Sequence, residues 1–203
     1  MDAHPQKKIL IAASGTGSNA DVLMQCFTEH PEIGVSAVVC NKANAGVISK
    51  AHERGVPVWL FGKKNELEPE NWFQLLRCFQ PDLIVLAGWL KAIPVEIVNA
   101  YPSRILNIHP ALLPKYGGVG MYGMRVHEAV VQHGEEESGF TAHWVTEEYD
   151  EGPIVKQHKL NVHPNWTAEH LQTAVQALEH RYFPEIVEQQ CLLLKPLSIL
   201  TTP

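Results

Sequence analysis

The sequence predicts an α/β fold: a mostly parallel sheet with helices on both faces, extended by an antiparallel strand pair and a long C-terminal helix. Three observations lead there. Short, mostly apolar runs such as KILIAA at 8–13 and LIVLA at 83–87 recur, with segments of helical period between them. A glycine-rich turn follows the first of these runs. After residue 110 the rhythm changes, to two neighbouring strand-like segments and one long helical stretch.

Element by element, residues 8–13 read as a buried strand, because after Lys8 the run is continuously apolar rather than alternating. Val22, Leu23, Cys26 and Phe27 then have helical spacing. Residues 33–40 (IGVSAVVC) form a second strand, 44–53 a helix, and Val56–Leu60 a short third strand. Glu68–Phe79 is a helix with Trp72, Leu75, Leu76 and Phe79 on one face, and Leu83–Ala87 and Arg104–Ile108 are further strands. Alternating strands and helices imply parallel pairing, a Rossmann-like arrangement. The loop PALLPKYGGVGMYG leads to a helix at Val126–His133. Gly139–Val145 and Pro153–Leu160, separated by an acidic loop, are close enough to pair antiparallel. Residues 167–190 form a long helix with Thr167 as N-cap and a glutamate close behind, which Pro184 is expected to kink or interrupt.

The composition, 45% hydrophobic and 19% charged, is that of a globular chain. A formal charge of −6 argues against a nucleic-acid binder. It leaves room for a small anionic substrate, which needs only a few local donors. The four cysteines form no CxxC pair, and Cys26, Cys40 and Cys78 fall in apolar segments where buried free thiols are usual. The start, MDAHPQKKIL, passes from a polar tail directly into a strand, without the pattern of a secretory signal. No run approaches the ~18 apolar residues of a membrane helix. A cytoplasmic protein with no membrane partner is the expectation.

Ser14-Gly15-Thr16-Gly17-Ser18-Asn19 follows a strand and opens a helix, where backbone amides and the helix dipole favour an anion. Ser18 and Asn19 add side-chain donors. The segment also fits G-x-G-x-x-A, but a dinucleotide site adds an acidic residue about 20 positions on. Cys40, Asn41 and Lys42 stand there instead, so NAD is disfavoured. A ligand-free tight turn is the alternative, and a monophosphate site the favoured reading.

Asn107-Ile108-His109-Pro110 ends an apolar strand at the edge where open α/β sheets bind ligands. Alternation puts Asn107 and His109 on the same side. An amide donor beside a protonated imidazole suits a carbonyl that must become a tetrahedral oxyanion. Taken alone, the pair favours a structural histidine. The acidic loop Glu147-Glu148-Tyr149-Asp150-Glu151 could supply a carboxylate that favours the imidazolium and relays a proton, or could be a solvated turn. His127-Glu128 with His133 is no metal motif: the histidines are six apart, about 240° around a helix. The absence of a G-x-S-x-G elbow leaves no serine nucleophile. No metal is expected.

Together SGTGSN at 14–19, PDLIVLAGWLKAI at 81–93, ILNIHPALLPKY at 105–116, HWVTEEYDEGPIV at 143–155 and ALEHRYFPEIV at 177–187 resemble the phosphoribosylglycinamide formyltransferase family of the folate-dependent formyltransferases. The resemblance covers most of the chain. It implies one formyltransferase domain over 1–203, with a phosphate-binding lobe at 1–100 and a catalytic and folate-binding lobe at 101–203. It implies formyl transfer from the co-substrate 10-formyltetrahydrofolate to the amine of glycinamide ribonucleotide, by direct attack, in de novo purine synthesis. Asn107, His109 and Asp150 would be the catalytic trio. Gly17, Ser18 and Asn19 would hold the nucleotide's phosphate, and Gln176 and Glu179 the rest of it. Leu90, Lys91, Ala92 and Ile93, with Asn107 and the loop Thr146, Glu147, Glu148, Tyr149 and Asp150, would form the folate pocket. On apolarity alone, Leu90–Ile93 read as ordinary core.

Three places depart from the family pattern. The segment GGVGMYGMRVHEAV is longer by a few residues, Lys91 stands where arginine is common, and residues 61–80 match poorly and offer no second basic folate contact. The rival readings are a 10-formyltetrahydrofolate hydrolase, a formyltransferase acting on another amine, and a silent nucleotide-binding protein. A monomer and a homodimer are equally compatible with the sequence.

Overall fold

A computed structural model describes residues 6–62 and 65–195. The polar start at residues 1–5, two residues of the poorly matching 61–80 segment (63 and 64) and the tail from residue 196 lie outside the described residues.

Among those residues the strands are β1 (Lys7–Ala12), β2 (Ile33–Cys40), β3 (Val58–Leu60), β4 (Leu83–Leu86), β5 (Ile105–His109), β6 (Glu137–Trp144) and β7 (Ile154–Asn161). They form one sheet in the order β3-β2-β1-β4-β5-β6-β7. The first five run parallel, and β6 and β7 continue the sheet antiparallel, as the change of rhythm after residue 110 predicts. The helices are α1 (Ser18–Phe27), α2 (Gly46–Glu53), α3 (Pro69–Phe79), α4 (Val95–Ala100), α5 (Met124–Gln132) and α6 (Ala168–Leu193).

Continuous apolarity in β1 has a direct structural reason. Ile9 and Ile11 enter a core shared with Leu23 and Met24 of α1, Val47 of α2 and Phe183 of α6. Leu10 and Ala12 enter a second core, on the other face, with Trp72 and Leu75 of α3 and Ile97 of α4. Each such fully buried aliphatic side chain contributes roughly 1.5–3 kcal/mol, so an inward-facing charge on either face would be costly. From β1 the chain goes to β2 on one side, and from β4 to β5 on the other. The loops after β1 and β4 therefore part above the sheet and leave a crevice at its carboxyl edge.

Some expectations need correction. Cys26 and Cys78 are exposed, because each falls on the outward side of its helix, while Cys40 and also Cys191 are buried. Burial pushes the Cys191 thiol up to about 12, so it is an inert packing group. Pro184 does not interrupt α6, which runs unbroken from Ala168 to Leu193. The one backbone donor that proline lacks is offset by burial of Phe183, Ile186 and Val187 around it. Thr167 caps α6 with Glu169 in its first turn, both as expected, and His170 closes the capping box. The sequence pattern does not predict helix α4, which Pro94 starts and Ile97 and Val98 anchor. Among the described residues no helix is long and apolar enough to cross a membrane.

Candidate active site

The site is built outward from the β5–β6 pair. Strand alternation projects Asn107 and His109 from the same side of β5. The antiparallel register sets Asn107 directly opposite His143. Asn107 Nδ2 donates to His143 Nε2 at 3.0 Å, and His143 Nδ1 donates to the carbonyl of Trp144 at 3.0 Å. Both bonds fit one neutral tautomer of His143, with its proton on Nδ1. The ladder thus fixes the direction in which the Asn107 amide points.

His109 is 4% exposed. Its Nε2 donates to the Tyr116 carbonyl at 2.7 Å, which turns Nδ1 toward Asp150, 3.5 Å from Oδ2. Asp150 Oδ1 lies 3.5 Å from both His143 Nε2 and Asn107 Nδ2, and Oδ2 accepts from the Gly118 N–H at 2.9 Å. Tyr116 and Asp150, the two partners of His109, both hold left-handed backbone, at φ 57° and 58°. Non-glycine residues occupy that region at a cost, and it is tolerated where surrounding bonds over-determine the geometry.

Burial works on both members of this pair. It pulls the Asp150 carboxyl upward, but the charge of His109 and the Gly118 amide help hold it below the usual carboxylate range. Asp150 is therefore an anion at neutral pH. For His109 burial wins: it lowers the imidazole from its ordinary value against the opposing pull of Asp150 and the Tyr116 carbonyl. This corrects the expectation of a standing imidazolium. The resting ring is neutral, with Nδ1 as its available basic atom.

These groups open into a cleft of about 610 Å³ at the carboxyl edge of the sheet. One wall is the glycine turn. Gly17 caps α1 in left-handed backbone, and a Cβ there would lie 2.5 Å from Val47 Cβ, so only glycine fits. Gly17 does not itself border the cleft, whereas Ser18 and Asn19 do. Both are tied to α6: Gln176 Nε2 donates to Ser18 Oγ at 2.8 Å, and Asn19 Nδ2 donates to Glu179 Oε2 at 2.8 Å. Glu179 is 7% exposed, and burial pushes its carboxyl up to about 7 against the Asn19 bond. The opposite wall is Leu90–Ile93 and Thr146–Asp150, all of which border the cleft. Ser14 ties the two loops of the crevice together, receiving the Leu90 N–H on its Oγ at 3.2 Å. Of the acidic loop only Asp150 turns inward; Glu147, Glu148 and Glu151 are exposed.

Two residues of the site were missed. His143 sits on a strand whose register no local pattern reveals, although the HWV run placed it at a strand end. His127, set aside with the rejected metal motif, is 3% exposed, borders the cleft, and has no partner for Nδ1 among the described residues. Burial, with the charge of His109 adding to it, lowers His127 to about 4.

A glycine turn at a helix start, a carboxylate held between a neutral imidazole and an oriented amide, and the Leu90–Ile93 loop meet in one cleft, which is the equipment of an acyl- or formyl-transferring enzyme. Residues 7–187 match the family model described as formyl transferase. The chain is 43% identical over 192 residues to the chloroplastic phosphoribosylglycinamide formyltransferase of Arabidopsis thaliana, which covers 92% of this chain and 66% of that protein's length. Against the Haemophilus influenzae phosphoribosylglycinamide formyltransferase identity is 32%, covering 90% of this chain and 86% of the other. The crystal structure of the Anaplasma phagocytophilum phosphoribosylglycinamide formyltransferase superposes with a TM-score of 0.84 at 31% identity, covering 92% and 88% of the two chains. The chain belongs to the formyl transferase family, and within it to the phosphoribosylglycinamide formyltransferases.

Proposed function

We propose that the protein transfers the formyl group of 10-formyltetrahydrofolate to the primary amine of glycinamide ribonucleotide. Both halves of the chain, 1–100 and 101–203, serve the one cleft. Ser18 and Asn19 with the amides of the turn seat the phosphate, and Gln176 and Glu179 meet the ribose side. Leu90–Ile93 and Thr146–Asp150 enclose the folate's pterin through backbone groups and apolar contact. The observation that carries this reading is the convergence of Asn107, His109 and Asp150 within 3.5 Å contacts at the floor of that cleft.

The amine lone pair attacks the formyl carbon, and the carbonyl electrons move onto oxygen. The Asn107 N–H not held by His143 donates to that oxyanion. Neutral His109 takes the proton of the new ammonium on Nδ1, and Asp150 stabilises the transient imidazolium. As the tetrahedral intermediate collapses, His109 returns the proton to N10 of the folate and the carbon–N10 bond breaks. The products are formylglycinamide ribonucleotide and tetrahydrofolate. No metal and no acyl-enzyme is used.

The test is to incubate the protein with 10-formyltetrahydrofolate, with and without glycinamide ribonucleotide, and to measure folate release and formyl transfer to the amine. Amine-dependent release, one formyl group per folate, is expected. Release without amine would instead make the protein a hydrolase.

A further inference from the structure

The cleft is poor in cations for a site that takes a phosphate. Lys91 and Arg125 are the only lysine and arginine side chains that border it among the described residues. They lie toward opposite faces of the sheet. Lys91 follows β4 between Trp89 and Ile93, which pack into the core shared with α3 and α4. Arg125 lies in the first turn of α5, which packs on α6, and α6 in turn packs on α1. Arg125 is therefore on the side of Ser18, Asn19, Gln176 and Glu179.

The groups on that side are already engaged with each other. Asn19 donates to Glu179, and Gln176 donates to Ser18. A phosphate monoester brings a charge of about −1.5 to −2 at neutral pH. The turn offers it amides and a hydroxyl but no full positive charge, and an ionised Glu179 would repel it. Arg125 has the missing charge. It makes no ion pair among the described residues. Its guanidinium rests on the ring of Tyr122, 5.2 Å from the centroid, and Tyr122 borders the same cleft. Arg125 itself lines the cleft, in the first turn of α5.

We propose that Arg125 is the charged contact for the substrate's phosphate, and that it makes the site select a phosphorylated amine over the free riboside. A guanidinium suits this because it meets two phosphate oxygens at once through parallel N–H donors. The inference rests on the formyl-transfer reading and adds to it a residue that sets substrate class.

The test compares wild type, Arg125→Lys and Arg125→Ala. Arg125→Ala is expected to raise KM for glycinamide ribonucleotide about 10- to 100-fold, the loss of a charge-assisted bond. KM for 10-formyltetrahydrofolate should stay within about twofold. Inhibition by inorganic phosphate should weaken in parallel, with Arg125→Lys in between. An unchanged nucleotide KM and phosphate inhibition would overturn the proposal, and so would an increase confined to the folate KM. Calorimetric titration of wild type and Arg125→Ala with inorganic phosphate reads the contact even if wild type transfers no formyl group, which separates failure of this inference from failure of the reaction assignment.

Discussion

Asn107 and His143 face each other across the β5–β6 ladder, and the amide of one donates to the ring of the other at 3.0 Å. An oxyanion donor must point correctly before charge develops, and a hydrogen bond made by strand register costs nothing to reorganise during reaction. His143→Ala should therefore lower kcat about 10- to 100-fold with little change in either KM. His143→Gln, which keeps an acceptor, should recover part of it. Steady-state kinetics with thermal melts check this; an equal loss of kcat in a variant with lowered Tm would point to damaged packing instead.

Asp150→Asn keeps an acceptor for the Gly118 amide and removes only the charge. That charge raises His109, so its loss lowers the imidazole further. Since His109 must be unprotonated to accept the amine's proton, activity falls as pH falls through its pKa, which lies below 6.5. The acid limb of the pH–rate profile should thus move to still lower pH in Asp150→Asn, while the plateau drops by about 10²-fold or more. A limb that moves to higher pH contradicts this assignment of roles.

Glu179 is ionised in the unfolded chain above about 4.5 but in the folded protein only above about 7. Its contribution to stability is full below 4.5 and is lost as pH rises through 7. The penalty at pH 8 is on the order of 3 kcal/mol. Glu179→Gln, which still accepts from Asn19, should melt higher than wild type at pH 8 and at the same temperature below pH 4.5. Denaturation at several pH values reads the difference directly.

His127 works in the opposite direction. Its folded value of about 4 lies below the ordinary 6.5. The unfolded chain takes up a proton first, so stability is full above 6.5 and is lost as pH falls toward 4. His127→Gln should flatten the acid side of the stability profile without moving the alkaline side. A profile unchanged between pH 6.5 and 4 would mean that the ring already finds a partner when charged.

The parallel sheet was legible because burial on both faces leaves continuous apolar strands, as Ile9 to Ala12 illustrate. Asn107 and His109 were legible as a pair because alternation is a local property of one strand. What resisted reading was whatever depends on distant chain segments. His143 acquires its role from register, His127 from the docking of α5 on α6, and the lowered His109 from the depth of its burial, none of which a linear pattern carries. The cysteines mislead for a related reason: Cys26 and Cys78 sit in apolar neighbourhoods along the chain but on the outer faces of their helices. Ser18, Asn19, Gln176 and Glu179 were placed by resemblance, and two hydrogen bonds join them across about 160 residues.

The most direct measurement is single-turnover formyl transfer by His109→Ala, alongside the binding of each substrate to the same variant. With the imidazole as the proton carrier, both dissociation constants should stay within a few-fold of wild type while the transfer rate drops by about 10²- to 10⁴-fold. A rate close to wild type, with substrates bound normally, would mean that the proton travels by another route and that the His109–Asp150 pair is structural.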